Sequence, residues 1–153
     1  MPPKPRPIRV LAVASAGGHW VQMTRLIAAF DGCEIHFATT EAHVAHDVRG
    51  APVHIFPDAN KDTPVAMLRA MASLVWIVLR LRPDAIVSTG AAGGALAIAA
   101  GRLIGARGLF VDSIANAQRL SLSARIARRF GLVLSQWPDV AAAERVGHSG
   151  SVL

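Results

Sequence analysis

The run Ile8-Arg9-Val10-Leu11-Ala12-Val13-Ala14-Ser15-Ala16-Gly17-Gly18-His19-Trp20 decides the fold. Its first half is a short apolar stretch carrying Ile8, Val10 and Val13 and interrupted only by Arg9, which reads as a buried strand. Its second half passes through two adjacent glycines into a helical pattern, the strand-to-helix turn that opens a parallel α/β sheet.

Working outward, the unit repeats. A helix from about Trp20 to Phe30, with Val21, Leu26 and Ala29 near one face, stops at Asp31-Gly32. Strand Glu34 to Thr39 follows, then a second helical unit through Glu41 to Arg49 and a short strand from Val53 to Phe56. Thr63 is placed to cap a helix that opens with Pro64. Along it Val65, Leu68, Ala72, Val75, Trp76 and Leu79 recur at helical spacing, a stripe that should pack on a sheet or dip into lipid. Arg82-Pro83-Asp84 breaks this helix, Ala85 to Ser88 reads as a fourth strand, and Thr89-Gly90-Ala91-Ala92-Gly93-Gly94 is a second glycine-rich turn. A small-residue helix from about Ala95 to Ile104 leads to strand Gly108 to Asp112. A basic helix near Leu120 to Phe130, strand Leu132 to Ser135 and a last helix near Val140 to Arg145 complete the alternation. Six short apolar strands alternating with helices predict an α/β fold, a doubly wound parallel sheet of Rossmann-like type. It forms one domain over residues 8–153, after a basic, proline-rich segment at 1–7.

Composition narrows the function. With 153 residues, 52% hydrophobic and 17% charged, the chain can bury a sizeable core and is no disordered tail. A net charge of +6 favours anionic partners, either phosphates or an anionic membrane surface. Arg69, Arg80 and Arg82 flank the apolar helix and Arg119, Arg125, Arg128 and Arg129 surround a later one, both sets either meeting anionic lipid headgroups or forming a solvated helix face. The uncharged stretch between Arg69 and Arg80 is shorter than the roughly 20 residues that a membrane span needs. The lone Cys33 excludes an internal disulfide framework and a Cys-rich zinc site and points to the cytoplasmic side. His36, His43, His46, His54 and His148 have no metal-ligand spacing, so no metal is expected. The absence of Tyr, the 5% aromatic content and the lack of an RNA-binding or helix-turn-helix signature argue against nucleic acid.

The chemistry concentrates at the two glycine turns. In Ser15-Ala16-Gly17-Gly18-His19 the glycine amides and the start of the next helix can approach an anionic oxygen without side-chain obstruction. The pattern is neither the dinucleotide fingerprint, lacking its third glycine, nor a Walker loop, lacking Gly-Lys-Ser/Thr. His19 stands where it can donate to a phosphate or act as a base, or simply cap the turn. The second turn, with Thr89, Gly90, Gly93 and Gly94, either faces the same crevice or serves close helix-sheet packing. Asp112, at the end of the fifth strand, is a candidate base or hydroxyl acceptor, with a cap or a loop hydrogen bond as the alternative.

Four segments taken in order resemble one known family: Ala14 to Leu26, Arg82 to Gly90, Phe110 to Ser113 and Leu134 to Asp139. Together they are similar to the oligosaccharide-biosynthesis subunits related to asparagine-linked glycosylation protein fourteen, whose bacterial members are first subunits of split polysaccharide glycosyltransferases. The resemblance implies the N-terminal, acceptor-binding lobe of a glycosyltransferase of the two-Rossmann-lobe (GT-B) type, inactive alone. Its donor-binding lobe would be a separate polypeptide, its donor a UDP-sugar and its acceptor a polyprenyl-diphosphate sugar. The reaction would proceed with inversion and without a required metal or other cofactor, on the cytoplasmic face of the inner membrane. It further implies a diphosphate held near Ser15, Gly17, Gly18, Thr89, Gly90, Gly93 and Gly94, with His19 or Asp112 accepting the proton of the attacking hydroxyl. Trp137-Pro138 and the following tail would face the partner. Two departures stand out: no N-terminal membrane anchor precedes the first strand, and Asp112 stands where many relatives carry Glu. Two rivals remain, a stand-alone nucleotide-dependent Rossmann enzyme and a noncatalytic membrane scaffold for a donor-binding partner.

Overall fold

The computed structural model describes residues 6–48, 50–58 and 64–152. Six strands form one sheet: β1 (Arg9–Val13), β2 (Glu34–Thr39), β3 (Val53–Ile55), β4 (Ala85–Ser88), β5 (Arg107–Val111) and β6 (Leu132–Leu134). Every pairing is parallel and the order is β3-β2-β1-β4-β5-β6. The expected doubly wound sheet is therefore present, and its order reverses between β1 and β4, which leaves a crevice at their carboxyl ends.

Alternation along β1 explains why both faces are covered. Leu11 and Val13 enter one apolar cluster with Leu74, Ile77 and Val78, while Val10 and Ala12 enter a second with Trp20, Met23 and Phe37. The first face carries helices α2 (Pro64–Leu81), α3 (Ala91–Leu103) and α4 (Leu122–Ala127). The second carries α1 (Gly18–Arg25) and a stretch of 3-10 turns over Ala42–Val48. A final helix, α5 (Pro138–Glu144), follows β6.

Three expectations are corrected and one pair of alternatives is narrowed. Helix α1 is shorter than expected, ending at Arg25 before a 3-10 turn at Ile27–Phe30. Its buried residues are Trp20, Gln22 and Met23, and Val21 faces outward. The segment after β2 is 3-10 rather than α-helical. Helix α3 begins at Ala91, so Gly93 and Gly94 belong to its first turn and not to a loop. On α2 the anticipated stripe, Val75 excepted, faces away from the sheet, which removes the sheet-packing alternative and leaves the lipid-facing one. Ala70, Leu74, Ile77 and Val78 pack into the core, whereas Val65, Leu68, Trp76 and Leu79 are exposed. Helix α2 is 18 residues long with a mean hydropathy of 1.6, enough by length and composition to cross a membrane. Leu74 and Val78 are fully buried in the domain, so α2 packs on the core along one narrow face while most of the helix stays outside it. The expected cap Thr63 lies outside the described residues.

Candidate functional site

The site is built where β1 and β4 end. Beyond β1 the Ala16 amide donates to Thr40 Oγ1 at 3.0 Å, and half-buried Ser15 leads into the turn. Gly17 then adopts φ 81°, a conformation that glycine tolerates best. Space beside Gly17 and Gly18 is open, with no atom within 4 Å of where a Cβ would stand. Helix α1 starts at Gly18 with no side-chain cap, so its first-turn amides carry the positive end of the helix dipole toward that space.

Beyond β4 the second turn is tied to the first. Buried Thr89 donates from Oγ1 to the His19 carbonyl at 2.6 Å, and His19 Nδ1 lies 3.0 Å from the Thr89 carbonyl oxygen. Gly90 has φ 146°, and a Cβ there would lie 2.1 Å from His19 Nδ1. Gly93 lies against the Phe56 ring and Gly94 against Ser88 Oγ, which a Cβ at 94 would approach to 1.8 Å. The packing alternative weighed for this turn thus describes Gly93 and Gly94, while Thr89 and Gly90 meet His19.

Asp112 follows β5 and is 2% exposed. Its Oδ1 accepts from the Ser113 amide and from Asn116 Nδ2, both at 3.0 Å, and its Oδ2 accepts from the Ser121 amide at 2.9 Å. Its carbonyl accepts from Gln136 Nε2 at 2.8 Å and Gln22 Nε2 at 3.3 Å. These bonds make Asp112 the clamp of the 113–121 loop, the alternative weighed for it. Gln22 and Gln136, which sequence reasoning passed over, both lie within the resembling segments, and for Gln22 its polarity between Val21 and Met23 was the available signal. Trp137 precedes α5 and donates from Nε1 to the Ile114 carbonyl at 2.7 Å, bracing the same loop, and Pro138 opens α5.

A cavity of about 310 Å³ brings together His19, Gly90 and Ala91 with Asp112, Asn116 and Ser121, whereas Ser15, Gly17, Gly18, Thr89, Gly93, Gly94, Trp137 and Pro138 are not part of its lining. A larger one of about 930 Å³, lined by Arg6, Arg82, Asp84 and Arg107 among others, lies at the amino ends of β1, β4 and β5. Ligands of such sheets bind at carboxyl ends, so the smaller cavity is the candidate site. Asp84 at the far end is held below the usual carboxylate range by hydrogen bonds from Arg6 and then the Arg9 amide. Glu34 is likewise lowered, chiefly by Arg9. Among the described residues no three His, Cys, Asp or Glu side chains gather into a metal-binding group.

No family model matches the sequence, and no curated protein does. Solved structures do match in fold. MurG from Acinetobacter baumannii superposes with a TM-score of 0.73 at 18% identity, over 88% of this chain and 43% of that one. The UDP-N-acetylglucosamine 2-epimerase of Rickettsia bellii gives 0.75 at 12% identity, over 95% and 45%. HepE from Anabaena, solved with UDP and glucose, gives 0.61 at 12% identity, over 95% and 43%. This chain spans less than half the length of each. Its fold is that of a Rossmann-like lobe of GT-B glycosyltransferase-like proteins.

Proposed function

We propose that this chain is the acceptor-binding subunit of a split, inverting glycosyltransferase that uses a UDP-sugar and acts on a polyprenyl-diphosphate sugar. The observation that carries the reading is the placement of His19 on the cavity at the β1/β4 reversal, directly after Gly17 and Gly18, beside which space is open. An acceptor diphosphate at their amides would be held by backbone donors and by the helix dipole. His19 would then take the proton of the attacking sugar hydroxyl as the bond to the donor's anomeric carbon forms and UDP departs. Asp112, with both oxygens already accepting, supports the cavity wall.

The donor lobe would come from a separate polypeptide, as the four resembling segments imply. It would dock on the face carrying Trp137 and Pro138, which lie at the carboxyl end of β6 beside the site. Peripheral attachment to the cytoplasmic face of the inner membrane would use the outer face of α2. There Val65, Leu68, Trp76 and Leu79 are exposed, and Arg80 lies over the Trp76 ring at 5.5 Å. The test is UDP-sugar transfer to a polyprenyl-diphosphate acceptor by this chain, by the partner and by the two co-expressed. Activity confined to the pair supports the reading. Full activity of the partner alone reduces this chain to a membrane scaffold.

A further inference from the structure

The second glycine turn is fitted closely to one side chain of the first. A backbone carbonyl can only accept a hydrogen bond, so the 3.0 Å contact between His19 Nδ1 and the Thr89 oxygen requires a proton on Nδ1. In the neutral ring that leaves Nε2 with the lone pair, on an imidazole that lines the cavity. The contact is possible because position 90 has no Cβ: any side chain there would enter the imidazole, and φ 146° is itself a conformation that other residues rarely adopt. The return bond from Thr89 Oγ1 to the His19 carbonyl at 2.6 Å fixes the start of α1 over the same seat.

We infer that Thr89 and Gly90 are positioning residues that lock His19 in the Nδ1–H tautomer and present Nε2 as the proton acceptor. This rests on the proposed role of His19, but the seat can be tested apart from that role. Long-range proton–nitrogen NMR on the uniformly ¹⁵N-labelled chain at neutral pH reports which ring nitrogen is protonated, and His19→Ala identifies the signal. The wild type should show the proton on Nδ1. Gly90→Ala should convert His19 to a mixture of tautomers and leave the other histidine signals in place. Thr89→Val should loosen the seat and Thr89→Ser restore it, which keeps the test decisive if Gly90→Ala does not fold. A wild-type proton on Nε2, or an unchanged tautomer in both Gly90→Ala and Thr89→Val, overturns the inference. In the reconstituted pair, Gly90→Ala should lower kcat at least about tenfold with little change in the acceptor KM. A tautomer freed by Gly90→Ala with turnover intact would leave the seat standing and remove His19 from the chemistry.

Discussion

Asp112 is buried and its two carboxylate oxygens answer three donors, so Asp112→Asn turns an amide NH₂ toward at least one group that can only donate. A buried donor left in that state costs about 1–3 kcal/mol, and a domain of this size loses about 2–4 °C in Tm for each kcal/mol. Urea and thermal unfolding should record that loss. His19→Ala removes one contact with a carbonyl, costing about 1 kcal/mol or less, yet should lower transfer by the reconstituted pair at least about tenfold. Stability and activity therefore separate the two residues, and a folded Asp112→Asn with lost turnover but unchanged Tm would return Asp112 to the chemistry. The glycines separate in the same way. A helical Gly→Ala usually stabilises by up to about 1 kcal/mol, and Gly18, with open space at its Cβ position, should follow that rule. Gly94→Ala should reverse the sign, costing about 1–3 kcal/mol through overpacking, because its Cβ would meet Ser88 Oγ and Cβ inside the helix-sheet contact.

Among the elements, α2 and the β2–β3 edge make their own predictions. If the outer face of α2 meets lipid, each large apolar side chain that becomes buried there contributes about 1.5–3 kcal/mol. Trp76→Ser with Leu79→Ser should then weaken binding to anionic vesicles by more than about tenfold. Both residues are exposed, so the melting temperature should hold. On β2 and β3, His36 Nδ1 lies 3.2 Å from His54 Nε2, and His36 Nε2 lies 3.3 Å from Glu34. Burial, and then the neighbouring His36, holds His54 below the ordinary histidine range. The unfolded chain therefore takes up that proton first on acidification. The stabilisation is complete above the unfolded value of about 6.5 and is lost as pH falls from there through the folded value. Glu34 and Asp84, lowered by their arginines, add a second loss below about pH 4 by the same sign. In urea titrations across pH, His54→Gln should remove the first fall and leave the second. These elements also show what could be read in advance. The strands were legible because a parallel strand buried on both faces is a short continuous apolar run, as Val10 to Val13 and Ala85 to Ser88 are. The inner face of α2 was not, because apolar residues surround that helix and periodicity alone cannot choose which of them turn inward. His19 and the two turns were visible as a glycine pattern after strands. The pairing of His19 with Thr89 and Gly90, 70 residues away for Thr89, exists only once β1 and β4 lie side by side.

At the scale of the whole molecule, sheet order decides what one lobe can do by itself. The reversal between β1 and β4 brings together two turns that the chain separates widely, and the resulting cavity of about 310 Å³ takes its walls from β1, β4 and β5 connections only. Space is open beside Gly17 and Gly18, which precede the cavity-lining His19, but this first turn lacks the third glycine of the dinucleotide fingerprint. On the proposed reading, this lobe holds the acceptor and leaves the nucleotide to a partner. Ligand linkage makes the difference measurable. A site on this chain saturated at about 100 times its Kd would raise stability by about 2.7 kcal/mol, which for a domain of this size is a Tm increase of several degrees, at about 2–4 °C per kcal/mol. UDP and UDP-sugars should therefore leave the Tm of the isolated chain unchanged, whereas a short-chain polyprenyl-diphosphate analogue should raise it. Gly17→Ala, strained at φ 81°, should reduce that rise more than Gly18→Ala does. A clear shift with UDP alone would favour a stand-alone nucleotide-dependent enzyme, because no partner would then be needed to complete the nucleotide site.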